Sequence, residues 1–408
     1  MTPHGLLNPL SCGHLLHRIA RIIRMSAYLG GVAAGVLLLN NCSDGGVGIG
    51  AAVEQMASSA ASASAASSSS SQSSSSAPSK WVDLAADFPG HIVSQIAMVP
   101  GQDRLLALSG VSPAGYYTAD LYSSGDGGAT WQQLGQGAGS AALTVFPVGV
   151  VFDPKDAQSN TFWIFGTFAG STGGLFSTTD GGKTFQAHAV GTAPYDIDGL
   201  SIDPGGGTML AGQPQQAQAV YKSTDGGTSW TNIGAGLPPV SADAEYPYVI
   251  DGQTYLIGLS FISGGTPEIL RTVDSGSTWS QVAQGYRVFG APTAINGILY
   301  WSFYNGADGG ILASSDQGQS WQVVVPGGLT WSVIPMAQPD GQFGSLSGSN
   351  EIMLFTPGMT EQPTVVQPAF PLTVSLTQGG LIGLTFNAVR NAYFGWVVGG
   401  GIQRLDMQ

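Results

Sequence analysis

Three carboxylates beside tyrosines are where this sequence could do chemistry. Asp196 and Asp198 stand in Ala193-Pro194-Tyr195-Asp196-Ile197-Asp198, and Glu245 stands in Asp243-Ala244-Glu245-Tyr246. Paired carboxyl groups are the hardware of glycoside hydrolysis, roughly 5.5 Å apart for retention and roughly 6.5–9.5 Å apart for inversion. Aromatic faces stack on sugar C–H groups or on peptide side chains. Tyr195 and Tyr246 adjoin the carboxylates. Tyr116, Tyr117, Asp120, Tyr248, Tyr286, Arg287, Tyr304, Asp308 and Trp331 extend the aromatic and charged set. Asp and Tyr are also ordinary turn residues, and the commoner role of each is structural or solvated.

Other chemistries are excluded by composition. Of five histidines only His91 and His188 lie beyond residue 42, and the two cysteines are Cys12 and Cys42. A histidine-dependent nucleophile, a zinc site or any other metal site is therefore not expected, and no cofactor is implied. His188 reads as an exposed residue of an edge strand. The glycines at 399–401 read as a hairpin turn, because no strand-to-helix junction surrounds them to make a phosphate loop. The chain carries 12 Lys and Arg against 25 Asp and Glu. Arg18, Arg21 and Arg24 precede the first apolar run, so the rest of the chain is more acidic still. Without a basic stripe it is a poor ligand for nucleic acid or for an anionic lipid surface.

The elements that must position these residues are short strands and tight turns. Glycine makes up 61 of 408 residues, about twice its usual share, with no G-x-y period. An eight-residue pattern, S/T-x-D-x-G-x-S/T-W/F, occurs five times. It begins at Ser124, Thr178, Ser223, Thr272 and Ser314 and centres on Asp126, Asp180, Asp225, Asp274 and Asp316. The gaps between these aspartates average about 48 residues, the spacing of a repeated supersecondary unit. In such a turn Asp can accept backbone N–H groups, Gly can supply a positive φ, and Trp can pack on the sheet. Hydrophobic runs such as 104–108, 162–165, 255–259 and 298–303 precede the turns and read as strands of antiparallel sheets.

This pattern resembles the Asp-box, or bacterial neuraminidase repeat, of β-propellers. The resemblance implies an all-β fold: a seven-bladed β-propeller of four-stranded antiparallel blades, with each box between a blade's third and fourth strands. Residues 81–84 look like the strand that follows a box. They would complete the seventh blade beside residues 401–405, so that the two chain ends share one blade and leave no open edge. A six-bladed ring with an irregular extra segment is the rival layout. In the family, ligands bind on the face opposite the boxes, which would make the boxes structural. Weak catalytic candidates are then Asp196, Asp198 and Glu245, and ligand-binding candidates are Tyr195, Tyr246, Tyr116, Tyr117, Arg287 and Trp331.

Three branches of the family imply different functions. Sialidases need an arginine triad with one member in Arg-Ile-Pro, and none of Arg104, Arg271, Arg287, Arg390 or Arg404 has that context. Xyloglucan-cleaving relatives place an acid pair between two facing propellers, and residues 198–204 resemble their first-strand pattern, yet only one ring is legible here. Photosystem II assembly factors are single rings, some of them lipoproteins. Their arginine-rich partner patch has no counterpart in this sequence.

The N-terminus reads as an address and a tether. Arginines precede an apolar stretch at 27–39, a signal-peptide pattern; as a helix it would reach only about 20 Å, too short to cross a bilayer. Met25 is an alternative start. Cys42 follows in a sequence resembling a lipobox, although Asn40 and Asn41 replace the small residues usual there. Residues 51–79 are rich in Ser and Ala and read as a flexible linker. The expected organisation is a presequence at 1–42, a linker at 43–79 and a propeller at 80–408. The expected protein is a monomer, exported and held to the membrane through a lipidated Cys42 alone, or secreted. It is expected to bind an envelope protein or a glycan without cleaving it. The alternative is a sialidase-like or xyloglucanase-like glycoside hydrolase.

Overall fold

A computed structural model describes residues 80–84, 92–111, 118–167, 173–192, 195–214, 216–238, 244–259, 266–305, 308–329, 336–338, 341–347, 350–356, 363–366, 368–371, 382–397 and 401–407. They belong to one compact unit formed by residues 79–375 and 380–408. The expected presequence and linker lie outside the described residues.

The described strands build seven antiparallel sheets, the blades of a β-propeller. Blade one is Ile92–Met98, Leu105–Val111, Thr118–Ser124 and Gln132–Gln133; blade two is Phe146–Phe152, Phe162–Thr167, Leu175–Thr178 and Gln186–His188. Blade three is Gly199–Ile202, Met209–Gly212, Val220–Ser223 and Thr231–Asn232; blade four is Ala244–Val249, Tyr255–Leu259, Glu268–Thr272 and Ser280–Gln284. In blade five the first strand is broken. Arg287–Val288 and Thr293–Ile295 both pair with Ile298–Asn305, followed by Asp308–Ser314 and Gln322–Leu329. Blade six is Met336–Ala337, Phe343–Leu346, Ile352–Phe355 and Thr364–Val366. Blade seven is Ile382–Asn387, Ala392–Val397 and Gly401–Asp406, completed by Val82–Asp83 from the other end of the chain.

Each blade is covered on both faces, which is why its second strand is a continuous apolar run rather than an alternating one. Successive side chains point to opposite faces. Phe162 and Ile164 therefore join Leu106, Leu108 and Leu121 of blade one, while Trp163 and Phe165 join Leu200, Met209 and Ala211 of blade three. The same alternation makes a seam of Leu256 and Ile269 with Val288 and Trp301, and one of Phe394, Trp396 and Ile402 with Val93, Ile96 and Leu105. The ring closes through the register Val82↔Arg404 and Asp83↔Gln403 and through Leu84 N donating to Ile402 O at 2.8 Å. Buried Trp81 packs edge-on against Phe370 with centroids 4.8 Å apart and donates Nε1–H to Pro368 O at 3.2 Å.

The five boxes share one hydrogen-bond circuit. The opening Ser or Thr is buried; its hydroxyl donates to Asp Oδ1 at 2.7–2.8 Å and accepts the glycine N–H four residues on at 2.8–3.1 Å. Asp Oδ2 accepts the later Ser or Thr hydroxyl at 2.5–2.7 Å. The glycines adopt positive φ, for example +86° at Gly128 and +91° at Gly276. A Cβ at Gly128 would lie 2.5 Å from Leu84 Cδ1, and one at Gly318 would lie 2.6 Å from Leu256 Cδ2. Each of these glycines thus receives a side chain of the preceding blade, and the box is a contact between blades as well as a turn.

These hydrogen bonds hold the box carboxyls low. In Asp225 and Asp274 the Ser229 and Thr278 hydroxyls contribute most, then the amides of the same residues, and the pKa falls to about 2. In Asp180 and Asp316 partial burial is the largest single influence and pushes upward; the combined hydrogen bonds outweigh it and again leave about 2. A depressed folded-state pKa stabilises the fold above the unfolded-state value of about 3.9, and that stability drains as pH falls towards 2.

Three outcomes are expected. Trp81→Ala should cost about 3–5 kcal/mol, since it empties a buried aromatic site where the ring closes; an unchanged denaturation midpoint would mean the ring does not depend on this strand. Ser223→Ala leaves the buried Gly227 N–H without its acceptor and should cost about 1–3 kcal/mol. On the boxes' account the wild-type melting temperature should hold from pH 7 to about 5 and fall steeply below about 4. A flat profile down to pH 2 would remove the boxes from the account of stability.

Candidate binding face

Strand direction separates two faces. The boxes and the first-to-second hairpins lie on one. The second-to-third hairpins and the links between blades lie on the other, the loop face. Tyr116, Tyr117, Asp243 and Trp331 lie outside the described residues. Glu245 falls near the start of blade four's first strand, and Tyr304 and Asp308 flank blade five's second-to-third hairpin, where Asn305 pairs with Asp308; these are backbone positions. Asp120 is on blade one's third strand, half-buried.

Tyr195, Asp196 and Asp198 occupy the link from blade two to blade three. The link is stitched to both blades: Ile197 N donates to Gly166 O at 2.9 Å and Asp198 N to Gly212 O at 3.2 Å. Fully buried Gln213 clamps its upstream half, Nε2 donating to Thr192 O at 2.5 Å and Oε1 accepting Thr192 N at 3.4 Å. The sequence offered no sign of this glutamine, whose role depends on a link folding back over it. Tyr195 adopts φ +38°, and its half-buried ring packs against the core of blades one and two. Asp196 is only 3% exposed and Asp198 is half-buried, so Asp196 is a buried acid rather than part of a solvated rim.

A second group gathers at the seam of blades four and five. Tyr246 lies 6.2 Å from Phe289 and Tyr286 meets Phe303 edge-on at 5.0 Å; Tyr248 packs on the same cluster, and burial raises its pKa. Half-buried Arg287 opens blade five opposite Tyr304. The described tyrosines are thus partly spent on the core, and each leaves only part of its ring for a ligand.

His188 departs from the expected exposed edge residue. It is half-buried, with Nε2 2.7 Å from Ser177 Oγ. Burial is the largest influence and lowers its pKa, against the Gly227 carbonyl and the Asp225 carboxylate of the next blade, which raise it. The ring's hydrogen bond stays within blade two, and the box of blade three lies close enough to act on its charge. Among the described residues no three His, Cys, Asp or Glu side chains converge as metal ligands would.

Comparisons with known proteins place this geometry. Residues 193–363 match the family described as photosynthesis system II assembly factor YCF48. No protein of curated function matches the sequence. A GH74 enzyme of Niastella koreensis is similar at 17% identity and TM-score 0.54, over 79% of this chain and 53% of its own. The GH74 xyloglucanase of Xanthomonas campestris is similar at 16% and TM-score 0.51, over 81% of this chain and 54% of its own, so the chain spans about half the length of either enzyme. The structure of YCF48 bound to D1 peptide is similar at 15% and TM-score 0.50, over 82% of this chain and 98% of that one. At such identities the likeness is one of fold. Together with five boxes on consecutive blades of a closed ring, it makes this chain a β-propeller of the bacterial neuraminidase repeat, or Asp-box, type.

Proposed function

We propose that this propeller is a non-catalytic binding or assembly module that presents its loop face to a protein partner. The carrying observation is the match over residues 193–363. It begins at the link holding Asp196 and Asp198 and runs through blades three to five and the first three strands of blade six, and the similar YCF48 structure, matched over 98% of its length, is described as bound to a peptide. The buried state of Asp196 and the core packing of Tyr195, Tyr246 and Tyr286 support the same reading. They suit a shaped protein surface better than an open sugar-stacking cleft. In this reading the protein is exported, lipidated at Cys42 and carried on the 43–79 tether at the bacterial envelope. The similar PorZ of Porphyromonas gingivalis, at 14% identity and TM-score 0.54 over 78% of this chain and 47% of its own, is described as a bacterial surface component.

Glycoside hydrolysis is the second reading, favoured by the likeness to the two GH74 structures. Incubating the purified protein with sialosides, β-glucans and xyloglucan should release no new reducing ends. Turnover that disappears in Asp196→Asn or Asp198→Asn, with substrate binding retained, would replace the binding module with a hydrolase. For the anchor, Cys42→Ser should move the protein from the membrane fraction to the soluble fraction of a bacterial host. Membrane retention by the variant would refute lipidation at that residue.

A further inference from the structure

The propeller gathers its described cations, Arg287 apart, on the box face beside that face's own carboxylates, and several of them tie one blade to the next. Arg104 Nη2 donates to Gly181 O at 2.9 Å, Arg271 Nε to Gln317 O at 3.1 Å, Arg404 Nη1 to Gly127 O at 2.8 Å and Lys155 Nζ to Gly206 O at 3.2 Å. Arg390 grips Asp103 with two nitrogens, Nε at 3.0 Å and Nη2 at 2.5 Å. On the loop face, Arg287 is the one cation among the described residues. Asp120, Asp196, Asp198, Glu268 and Glu351 stand on that face by strand position. The box-face carboxylates thus have basic neighbours, whereas the loop-face carboxylates have Arg287 alone among the described cations, a balance that favours positive partners there.

A second feature localises this attraction. Thr167 ends blade two's second strand on the loop face; it is 5% exposed, and its Oγ1 has no hydrogen-bond partner. Alternation along the strand puts it on the side of Trp163 and Phe165, which pack with Ile197 and Leu200 at the seam of blades two and three. Its neighbour Gly166 binds the amide of Ile197, between Asp196 and Asp198. An apolar residue would serve this buried position better, unless something arrives to use the hydroxyl.

We propose that the loop face over the seam of blades two and three receives a Lys or Arg side chain of a cationic partner segment, with Thr167 Oγ1 and Asp198 accepting its N–H groups. A hydroxyl and a carboxylate are acceptors of the kind an ammonium or guanidinium requires. This rests on the reading of the loop face as the binding surface and adds the chemistry of what it binds.

The test uses the whole protein and fluorescent Gly/Ser peptides carrying three Lys or three Arg residues, with Gln and Glu counterparts, read by fluorescence anisotropy. The cationic peptides should bind and the Gln and Glu peptides should not. Affinity should fall by about tenfold or more between roughly 50 mM and 500 mM salt. Thr167→Val should raise the melting temperature of the free protein while weakening the cationic peptide by about fivefold, a pairing that a purely structural threonine would not give. Asp198→Asn should weaken it similarly, and Asp153→Asn on the box face should leave it unchanged. Equal binding of cationic and Gln peptides would overturn the proposal, as would equal losses in Asp198→Asn and Asp153→Asn. If a neutral or acidic peptide binds and Asp198→Asn weakens it, the loop face remains the binding surface and only the cationic assignment falls. If no peptide of any charge binds, both readings fall.

Discussion

Everything in this structure depends on one constraint: each blade is a sheet with two apolar faces, and neither can be left to water. Phe162 and Ile164 need blade one as much as Trp163 and Phe165 need blade three. A row of such sheets has no natural end, so it must become a ring. The ring in turn fixes where the chain ends go. The strand Val82–Asp83 has its place beside Gly401–Asp406, and Trp81 fills the space between Phe370 and the last blade because closure brings it there.

The boxes answer the same constraint on the outer rim. Each turn satisfies its own polar groups and presents a bare glycine to a side chain from the blade before it. Blades six and seven have no box, and their seams use aromatic contacts instead. Phe343 of blade six lies 4.3 Å from Tyr300 of blade five, and Tyr393 of blade seven donates to Gln338 beside blade six at 3.1 Å. Arginines add ties where boxes meet neighbours, and among the described cations only Arg287 lies on the other face.

What could be read in advance follows this division. A box is eight residues closing on themselves, so Asp126, Asp180, Asp225, Asp274 and Asp316 disclosed the blades and their spacing. The likeness of residues 81–84 to a strand after a box disclosed the closure. The candidate site was less legible. The sequence singled out Asp196 and Asp198 as an acidic pair, but the burial of Asp196 depends on hydrogen bonds from the link to Gly166 and Gly212 of different blades. Tyr246 and Tyr286 look like surface aromatics in the sequence; their packing is set by Phe289 and Phe303, which the ring brings near. Gln213 and Thr167 are likewise properties of seams, and no local pattern encodes a seam.

The central claim is that the two faces have separate work: the box face holds the ring together and the loop face meets the partner. Hydrogen–deuterium exchange of the whole protein with and without a saturating Lys- or Arg-bearing peptide addresses it most directly. Protection should appear in the link at residues 195–200 and at the end of Phe162–Thr167, with the turns after Ser124, Thr178, Ser223, Thr272 and Ser314 unchanged. Protection confined to those turns, with the link exchanging as in the free protein, would contradict it.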